Sequence, residues 1–317
     1  MYNMIYDIAI GAYTLGMLDK AEIHRSVELL SDTAEITLPA AQYNIALDVE
    51  SKLKRGDRVV IRLGYKETGL VTEFTGWLQR ISTDGGNIKL ICEDDLFLFR
   101  KNIPNAKYKK ITLQTLLEKV MSECGLHYGI SCSYSWTYAK FIVNNATGYD
   151  VLKKVQEECK ADIYLANGKL HIHPPGEKIG VERFYDFSVN IEESDLTYMN
   201  AEDKKVMVVV KSLQPDGTVK EIEVGSTGGD KVEIKCPTSD VKSMKALGEI
   251  ELKRRSYNGY EGSITGWLIP QCMPADSATI HDSDYPKKDG TYFVSAVTTE
   301  FSSSGGKRKV QLGFRLS

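Results

Sequence analysis

Two histidines placed two residues apart are the strongest candidate in this sequence for a metal or acid–base site. His171 and His173 fall on one face of a predicted strand, because side chains in a strand alternate between its two faces. A zinc site needs three or four ligands, and the remaining histidines have no spacing typical of one. We therefore interpret His171 and His173 as exposed strand residues, with Asp162 as a partner on the neighbouring strand.

Clusters of acidic residues are the next candidates. Glu93-Asp94-Asp95 and Glu192-Glu193 with Asp195 supply carboxylates. Glycoside hydrolysis needs two carboxylates on opposite sides of a sugar bond, and neighbours in one segment do not provide that arrangement. We expect both clusters to end strands and lie in solvated turns. His281-Asp282-Ser283-Asp284 precedes Pro286 and is typical of a polar loop.

Other catalytic motifs are missing from the sequence. Gly305-Gly306-Lys307 lacks the upstream glycine and the following Ser or Thr of a phosphate-binding loop, and neither G-x-S-x-G nor H-E-x-x-H occurs. The cysteines have no C-x-x-C spacing, which disfavours a disulfide framework or a zinc knuckle: Cys92, Cys124, Cys132, Cys159, Cys236 and Cys272. The sequence thus predicts no catalytic, cofactor-binding or metal-binding residues, and a protein that is not an enzyme.

The overall charge excludes further classes of partner. The chain has 40 Lys plus Arg against 43 Asp plus Glu, a net charge of −3, so no basic surface for nucleic acid is expected. No apolar run approaches the roughly 18 residues of a membrane span, and the first residues do not form a signal peptide. We expect a soluble protein made in the bacterial cytoplasm, without membrane insertion.

Residues 1–104 are predicted to consist almost entirely of strands and turns. Short apolar or β-branched runs alternate with Gly, Asp, Asn or Pro at 7–10, 35–38, 57–63, 70–81 and 88–92. Gly85-Gly86 separates the last two runs, and glycine can adopt the positive φ of a tight hairpin. This spacing is typical of a barrel or a sandwich.

Residues 105–175 are predicted to form a small α+β domain. One amphipathic helix follows Thr112 and ends at Gly125; a second is capped by Thr147 with Asp150 in its first turn. Asn167-Gly168 is a strong hairpin signal that pairs residue 165 with 170 and residue 163 with 172. Two helices and a hairpin can bury one face against each other.

Residues 176–317 are predicted to return to strands, at 205–211, 218–224, 231–235, 263–268, 292–298 and 309–314. One helix is expected from about Ser239 to the break at Asn258-Gly259. Its apolar residues recur every three positions: Val241, Met244, Leu247 and Ile250. The predicted fold class is therefore mainly β, with two related tube-like β-barrel domains, 1–104 and 176–317, flanking the α+β domain 105–175.

A weak internal repeat supports the relation between the two β-rich parts. GDRVVI at 56–61 resembles ADSATI at 275–280, and the strand IKL at 88–90 resembles VQL at 310–312 after a second glycine pair. The alternative interpretation is that any two antiparallel hairpins share such alternation and turn glycines.

The order of these segments resembles the baseplate hub proteins of contractile phage tails, the late control D or VgrG-like family. The similar segments are LKRGDRVVIRLGY at 53–65, EFTGWL at 73–78, IKLICED at 88–94, TGYDVLKKV at 147–155 and DIYLANGKLHI at 162–172. The resemblance covers about the first 175 residues well and the remainder in outline. It contains no catalytic residues.

The resemblance implies a homotrimeric hub that joins a six-fold tail tube to a three-fold central spike. The implied partners are the tail tube protein and a separate spike protein, since the chain reaches Ser317 without the β-helical repeat of VgrG spikes. A tape-measure protein is left open as a further partner. The implied location is the tail baseplate of a virion or an injection particle.

Two other functions stay open at this stage. A carbohydrate-binding or cell-wall-acting module is the first alternative, since 17 tyrosines can present aromatic platforms to sugars. A hydrolase whose carboxylates converge only in the fold is the second. Glycan binding by the isolated protein would favour the first, and peptidoglycan turnover lost on mutation of a carboxylate would favour the second.

Overall fold

The computed structural model describes residues 2–39, 49–84, 86–213, 218–236, 238 and 240–317. Gly85 of the predicted first hairpin and Ser239 at the predicted start of the third helix lie outside these residues. The N-terminal part contains β1 (Met4–Ile10), β2 (Tyr13–Thr14), β3 (Lys20–Ser26), β4 (Thr33–Leu38), α1 (Val49–Lys52), β5 (Arg58–Tyr65), β6 (Gly69–Asp84), β7 (Asn87–Glu93) and a 3-10 helix (Asp95–Phe99).

The remaining elements follow the predicted order of an α+β part and a second strand-rich part. The middle contains β8 (Ala106–Tyr108), β9 (Ile111–Thr112), α2 (Leu113–Cys124), β10 (Gly129–Cys132), β11 (Thr137–Tyr138), β12 (Phe141–Val143), α3 (Gly148–Cys159), β13 (Asp162–Ala166) and β14 (Lys169–His173). The C-terminal part contains β15 (Glu182–Asp186), β16 (Glu193–Met199), β17 (Val206–Leu213), β18 (Val219–Gly225), β19 (Asp230–Lys235), α4 (Val241–Arg255), β20 (Gly259–Gly266), β21 (Ser277–His281), a 3-10 helix (Pro286–Lys288), β22 (Gly290–Ser302) and β23 (Gly305–Arg315).

Local sequence signals account for the central part. Thr112 caps α2, which ends at Gly125 with φ 73°, and Thr147 with Asp150 forms a capping box at α3. The hairpin of β13 and β14 has the predicted register, with Leu165 opposite Leu170. The predictions for both helices and for the hairpin are confirmed.

The predicted face of the third helix is only partly correct. α4 is present and buries Met244 and Leu247 as predicted. Val241 is exposed, and Gly248 and Glu251 are buried in addition. A glycine and a paired glutamate therefore complete the buried face, since close packing onto β17 and β18 favours the small residue there.

Thirteen of the described strands form one sheet. Its order is β16-β20-β23-β22-β3-β4-β7-β6-β5-β1-β2, with β21 beside β22 and β15 beside β21. The long strand β22 pairs with β21 through its first residues and with β3 through its last seven, while β23 runs along its other edge. The N-terminal and C-terminal parts are thus joined by backbone hydrogen bonds between β3 and β22.

The two strand-rich parts have the same strand order. The first runs β1-β5-β6-β7-β4-β3 and the second runs β15-β21-β22-β23-β20-β16. Each part has six such strands when β2 and the separate sheet β18-β17-β19 are left aside. If the six strands of each part are numbered along the chain, their order in the sheet is 1-4-5-6-3-2 in both parts. One difference is that β1 is antiparallel to β5, whereas β15 is parallel to β21. No closed barrel is detected in the described part of the chain, so the two-barrel layout and its domain limits stay a prediction.

The turns before β5 and β21 repeat in atomic detail. The backbone N–H of Lys54 donates to Asp57 Oδ2 at 2.7 Å, and that of Met273 donates to Asp276 Oδ2 at 3.0 Å. Each aspartate carbonyl then accepts a hydrogen bond from the long strand that follows. The residue before the aspartate has positive φ in both turns, 92° at Gly56 and 68° at Ala275. The resemblance between 56–61 and 275–280 therefore reflects a shared structure.

The second predicted correspondence is displaced by two residues. β6 and β22 each carry a bulge relative to the next strand, at residues 79 and 295. If the two pairs of strands are aligned at these bulges, residues 310–312 correspond to 90–92 and not to 88–90. Sequence alternation has a period of two, so it cannot distinguish registers that differ by two residues.

Substitutions in the paired turns test their equivalence. We expect Gly56→Ala to lower the free energy of unfolding by about 1 kcal/mol, because an L side chain disfavours this φ; no atom lies within 4 Å of an added Cβ. Ala275→Gly should raise the free energy of unfolding, by a smaller amount because glycine gains entropy in the unfolded chain. Urea unfolding followed by circular dichroism measures both, and a loss at residue 275 as large as that at residue 56 would contradict equivalence.

Candidate functional site

A fully buried ion pair joins the two strand-rich parts. Arg308 on β23 and Glu73 on β6 are each 2% exposed, and Arg308 donates to the Glu73 carboxylate through Nη1 at 3.2 Å and Nη2 at 2.7 Å. Arg308 also donates to Thr299 Oγ1 at 2.9 Å and to the carbonyl oxygen of Leu268 at 3.0 Å from Nη2. Nearly every donor of the guanidinium group is thereby used, as a buried charge requires.

A β-bulge explains why Glu73 points inward. Opposite β5, Ile61 pairs with Phe74 and Arg62 pairs with Thr72, so Glu73 is the additional residue in β6. Glu73 and Phe74 are consequently both buried, although neighbours in a regular strand face opposite sides.

Arg25 continues this network toward a cavity. It is 5% exposed on β3, and its Nη1 lies 3.6 Å from Glu73 Oε2 while its Nε lies 3.6 Å from Asp32 Oδ2. Nη1 also contacts the sulfur of Met273 at 3.1 Å. The network therefore alternates Arg308, Glu73, Arg25 and Asp32, with charges of opposite sign adjacent throughout.

The cavity beyond Arg25 has a volume of about 470 Å³ and lies where β3, β6, β13 and the segments before β15 and β21 meet. Four aspartates from three different segments line it, and we call it the acidic cavity: Asp32, Asp94, Asp95 and Asp162. Burial and neighbouring carboxylates raise the pKa of Asp94 to about 8. Burial and the Asp32 carboxylate raise the pKa of Asp162 to about 7, and burial raises that of Asp32 to about 6.

The predicted acidic clusters have different surroundings. Glu93 ends β7 as expected, but it is 3% exposed and paired with Arg100 (Oε2 to Nε 2.6 Å), so the expectation of a solvated turn is wrong for it. Asp94 caps the following 3-10 helix by accepting from Leu96 N at 3.0 Å. Asp95 pairs with Arg58. The three carboxylates are held in separate interactions and do not face one another across a cleft.

The second acidic cluster begins a strand and does not end one, because Glu193 and Asp195 lie in β16, so that expectation is wrong. Glu192 and Glu193 both pair with Lys307, at 3.3 and 3.1 Å. Asp282 accepts from Lys288 Nζ at 2.7 Å and from two backbone N–H groups of its own loop, and His281 contacts Asp289 at 3.0 Å. The prediction of a polar loop is confirmed for 282–284, whereas His281 is the last residue of β21.

The two histidines differ from expectation in their exposure. His173 is 1% exposed, with Nδ1 at 3.0 Å from the carbonyl oxygen of Pro174 and Nε2 at 3.1 Å from Tyr164 Oη. His171 is half-buried and stacks on Tyr164 with centroids 4.9 Å apart. Interpreting His173 as exposed is therefore wrong, because the alternating pattern did not reveal that residues 174–178 fold over this face. Asp162 lies opposite His173 in the ladder, as predicted.

The described residues contain no group of three His, Cys, Asp or Glu side chains arranged to hold a metal ion. Within the same ranges no helix combines the length and apolar character that a membrane span requires.

An exposed apolar surface borders β15. Val181, Phe184 and Val189 are 56%, 65% and 67% exposed, and in the described part of the chain β21 is the only strand that pairs with β15. The Asn190 side chain hydrogen-bonds the backbone of Phe184 and Asp186, so the exposed apolar side chains are the part of this edge that another chain would cover.

Solved structures identify the fold. The chain superposes on a tail protein from Neisseria meningitidis with a TM-score of 0.67 and 12% identity, over 98% of this chain and 97% of that one. It superposes on a 43 kDa tail protein of a Shewanella oneidensis prophage with a TM-score of 0.63 and 15% identity, over 97% of each chain. This chain has the fold of phage tail proteins.

A third similar structure comes from a secretion system. It is an Escherichia coli component of the type VI secretion system, described as structurally similar to T4 bacteriophage tail proteins. Its TM-score is 0.62 at 11% identity, over 98% of this chain and 77% of that one. Neither a protein-family model nor a curated protein sequence matches the chain.

The buried ion pair can be tested by removing its partners singly and together. We expect Arg308→Met to lower the free energy of unfolding by about 3–5 kcal/mol, because it leaves the Glu73 carboxylate buried without its main partner. Adding Glu73→Gln should recover part of that loss. Lys307→Met is the matched control, since its pairs are exposed and worth about 0–1 kcal/mol. Urea unfolding measures all three, and a double variant less stable than Arg308→Met would contradict the pairing.

The acidic cavity predicts a pH dependence of stability. Because folding raises the pKa values of Asp32, Asp94 and Asp162, the folded state retains protons that the unfolded chain releases above about pH 4. Their contribution to the free energy of unfolding therefore falls as pH rises from about 4 to about 8. Asp94→Asn preserves the cap and should reduce this fall by about 1 kcal/mol or more. Urea unfolding at several pH values tests it, and an unchanged slope would be inconsistent with a protonated Asp94.

Proposed function

We propose that this protein is a structural hub of a contractile phage tail or a related injection machine, and that it has no enzymatic role. The observation that carries the proposal is the match to phage tail proteins over nearly the full length of both chains, together with the repeated strand order. The similarity to a type VI secretion component supports a role shared by phage tails and injection machines.

The repeated strand order suggests how such a hub connects two symmetries. A homotrimer of a chain with two similar strand-rich parts presents six similar units to a six-fold tail tube, while the trimer axis suits a three-fold spike. In this proposal the tail tube protein and a separate spike protein are the partners, and the location is the tail baseplate of a virion or injection particle.

The exposed edge at β15 is a suitable trimer contact. The side chains of Val181, Phe184 and Val189 would be covered by a neighbouring copy. Closed cyclic assemblies cover such edges, and each contact should bury more than about 1,000 Å² to be stable.

Electron microscopy of assembled particles tests the proposal. We expect three copies per particle on the tail axis between tube and spike. Phe184→Asp should prevent incorporation of the protein, because it places a charge in the proposed contact, while Val241→Asp should be incorporated normally, since residue 241 is an exposed position at the start of α4. Six copies, a single copy, or a position away from the axis would reject the hub function.

A further inference from the structure

The acidic cavity has the size and walls of a ligand site. Its volume of about 470 Å³ falls within the roughly 300–1,000 Å³ common for small-molecule sites. Apolar side chains form much of its wall: Leu30, Phe74, Ile163 and Met273. A few polar groups converge from different segments, which is the usual composition of a site that orients a ligand.

Asp162 is the unpartnered group in this cavity. It is 6% exposed, lines the cavity, and its carboxylate has no hydrogen bond in the described residues. The other three aspartates are engaged. Asp94 accepts from the backbone N–H groups of Leu96 and Asp32, Asp95 pairs with Arg58, and Asp32 lies beside Arg25. Above its pKa of about 7 this carboxyl group is ionised, and a cation in the cavity then stabilises the buried charge.

The positive residues at the cavity do not complete it. Arg25 is directed to Glu73 and Asp32 and contacts the Met273 sulfur. Lys178 lies at the rim, with its Nζ 3.3 Å from His171 Nδ1. The charge of Lys178 favours the ionised form of Asp162, but in the described residues no ion pair joins the two side chains.

We propose that the acidic cavity binds an organic cation, an ammonium or guanidinium group on an apolar stem, with its charge beside Asp162. The apolar wall contacts the stem, and the carboxylate of Asp32 adds long-range attraction. An inorganic cation fits less well, because it requires several oxygen ligands grouped closely together, and the described residues contain no such group. This inference is independent of the hub function.

Two sources supply such a group, a free alkyl amine or the side chain of a Lys or Arg residue in another protein. Calorimetric titration of the full chain at mildly alkaline pH distinguishes them with two probes. The first is 1,4-diaminobutane and the second is N-acetyl-lysine methylamide, with 1,4-butanediol as the uncharged control. Binding of the diamine indicates a free amine, and binding of the lysine derivative alone indicates a protein side chain.

The variants determine whether the binding belongs to this cavity. Asp162→Asn should weaken binding of the probe at least roughly tenfold, whereas Asp203→Asn, which changes an exposed turn residue, should leave it unchanged. Thermal unfolding verifies that each variant is folded, and Asp32→Asn, which removes the other ionised carboxylate, replaces Asp162→Asn if the latter does not fold. No binding of either charged probe, equal binding to the cavity variant, or equal binding of the diol would overturn the proposal.

Discussion

The contact between Arg308 and Glu73 is the constraint on which the arrangement of the two strand-rich parts depends. A buried guanidinium group is tolerated only where acceptors surround it, and here they come from β6, β22 and the segment before β21. The bulge at Glu73 and the inward position of Arg308 must therefore coincide. A shift of either strand by one residue would bury one charge without the other, so the pair selects this register.

The same network connects the junction to the acidic cavity. Arg25 contacts Glu73 on one side and Asp32 on the other, and residues of the central α+β part close the cavity through Asp162. Three parts of the chain that are distant in sequence thus share one electrostatic environment. A charge introduced or removed in the cavity acts on the same residues that hold the two strand-rich parts together.

Local patterns in the sequence predicted the helices, the hairpin and the strand-rich flanks, because caps, turn residues and apolar periodicity are encoded within a few positions. The burial of Arg308 could also be predicted from the sequence, since Arg308 alternates with Val310 and Leu312 on the buried face of β23. The burial of Glu73 could not be predicted, because nothing in the residues around it indicates a bulge. The cavity was equally hidden, since Asp32, Asp94 and Asp162 meet only after long-range pairing, and the burial of His173 depends on a segment that folds back over it.

Along its length β22 changes its neighbouring strand from β21 to β3, and this change determines how the molecule would resist force. Seven residue pairs join β22 to β3, from Ala296 opposite Ser26 to Ser302 opposite Lys20. A pull along the strand direction loads all of these pairs simultaneously, as in a shear joint, whereas a pull across the strands opens them one after another. A chain with this junction is mechanically anisotropic, and it is strongest when tension runs parallel to β22.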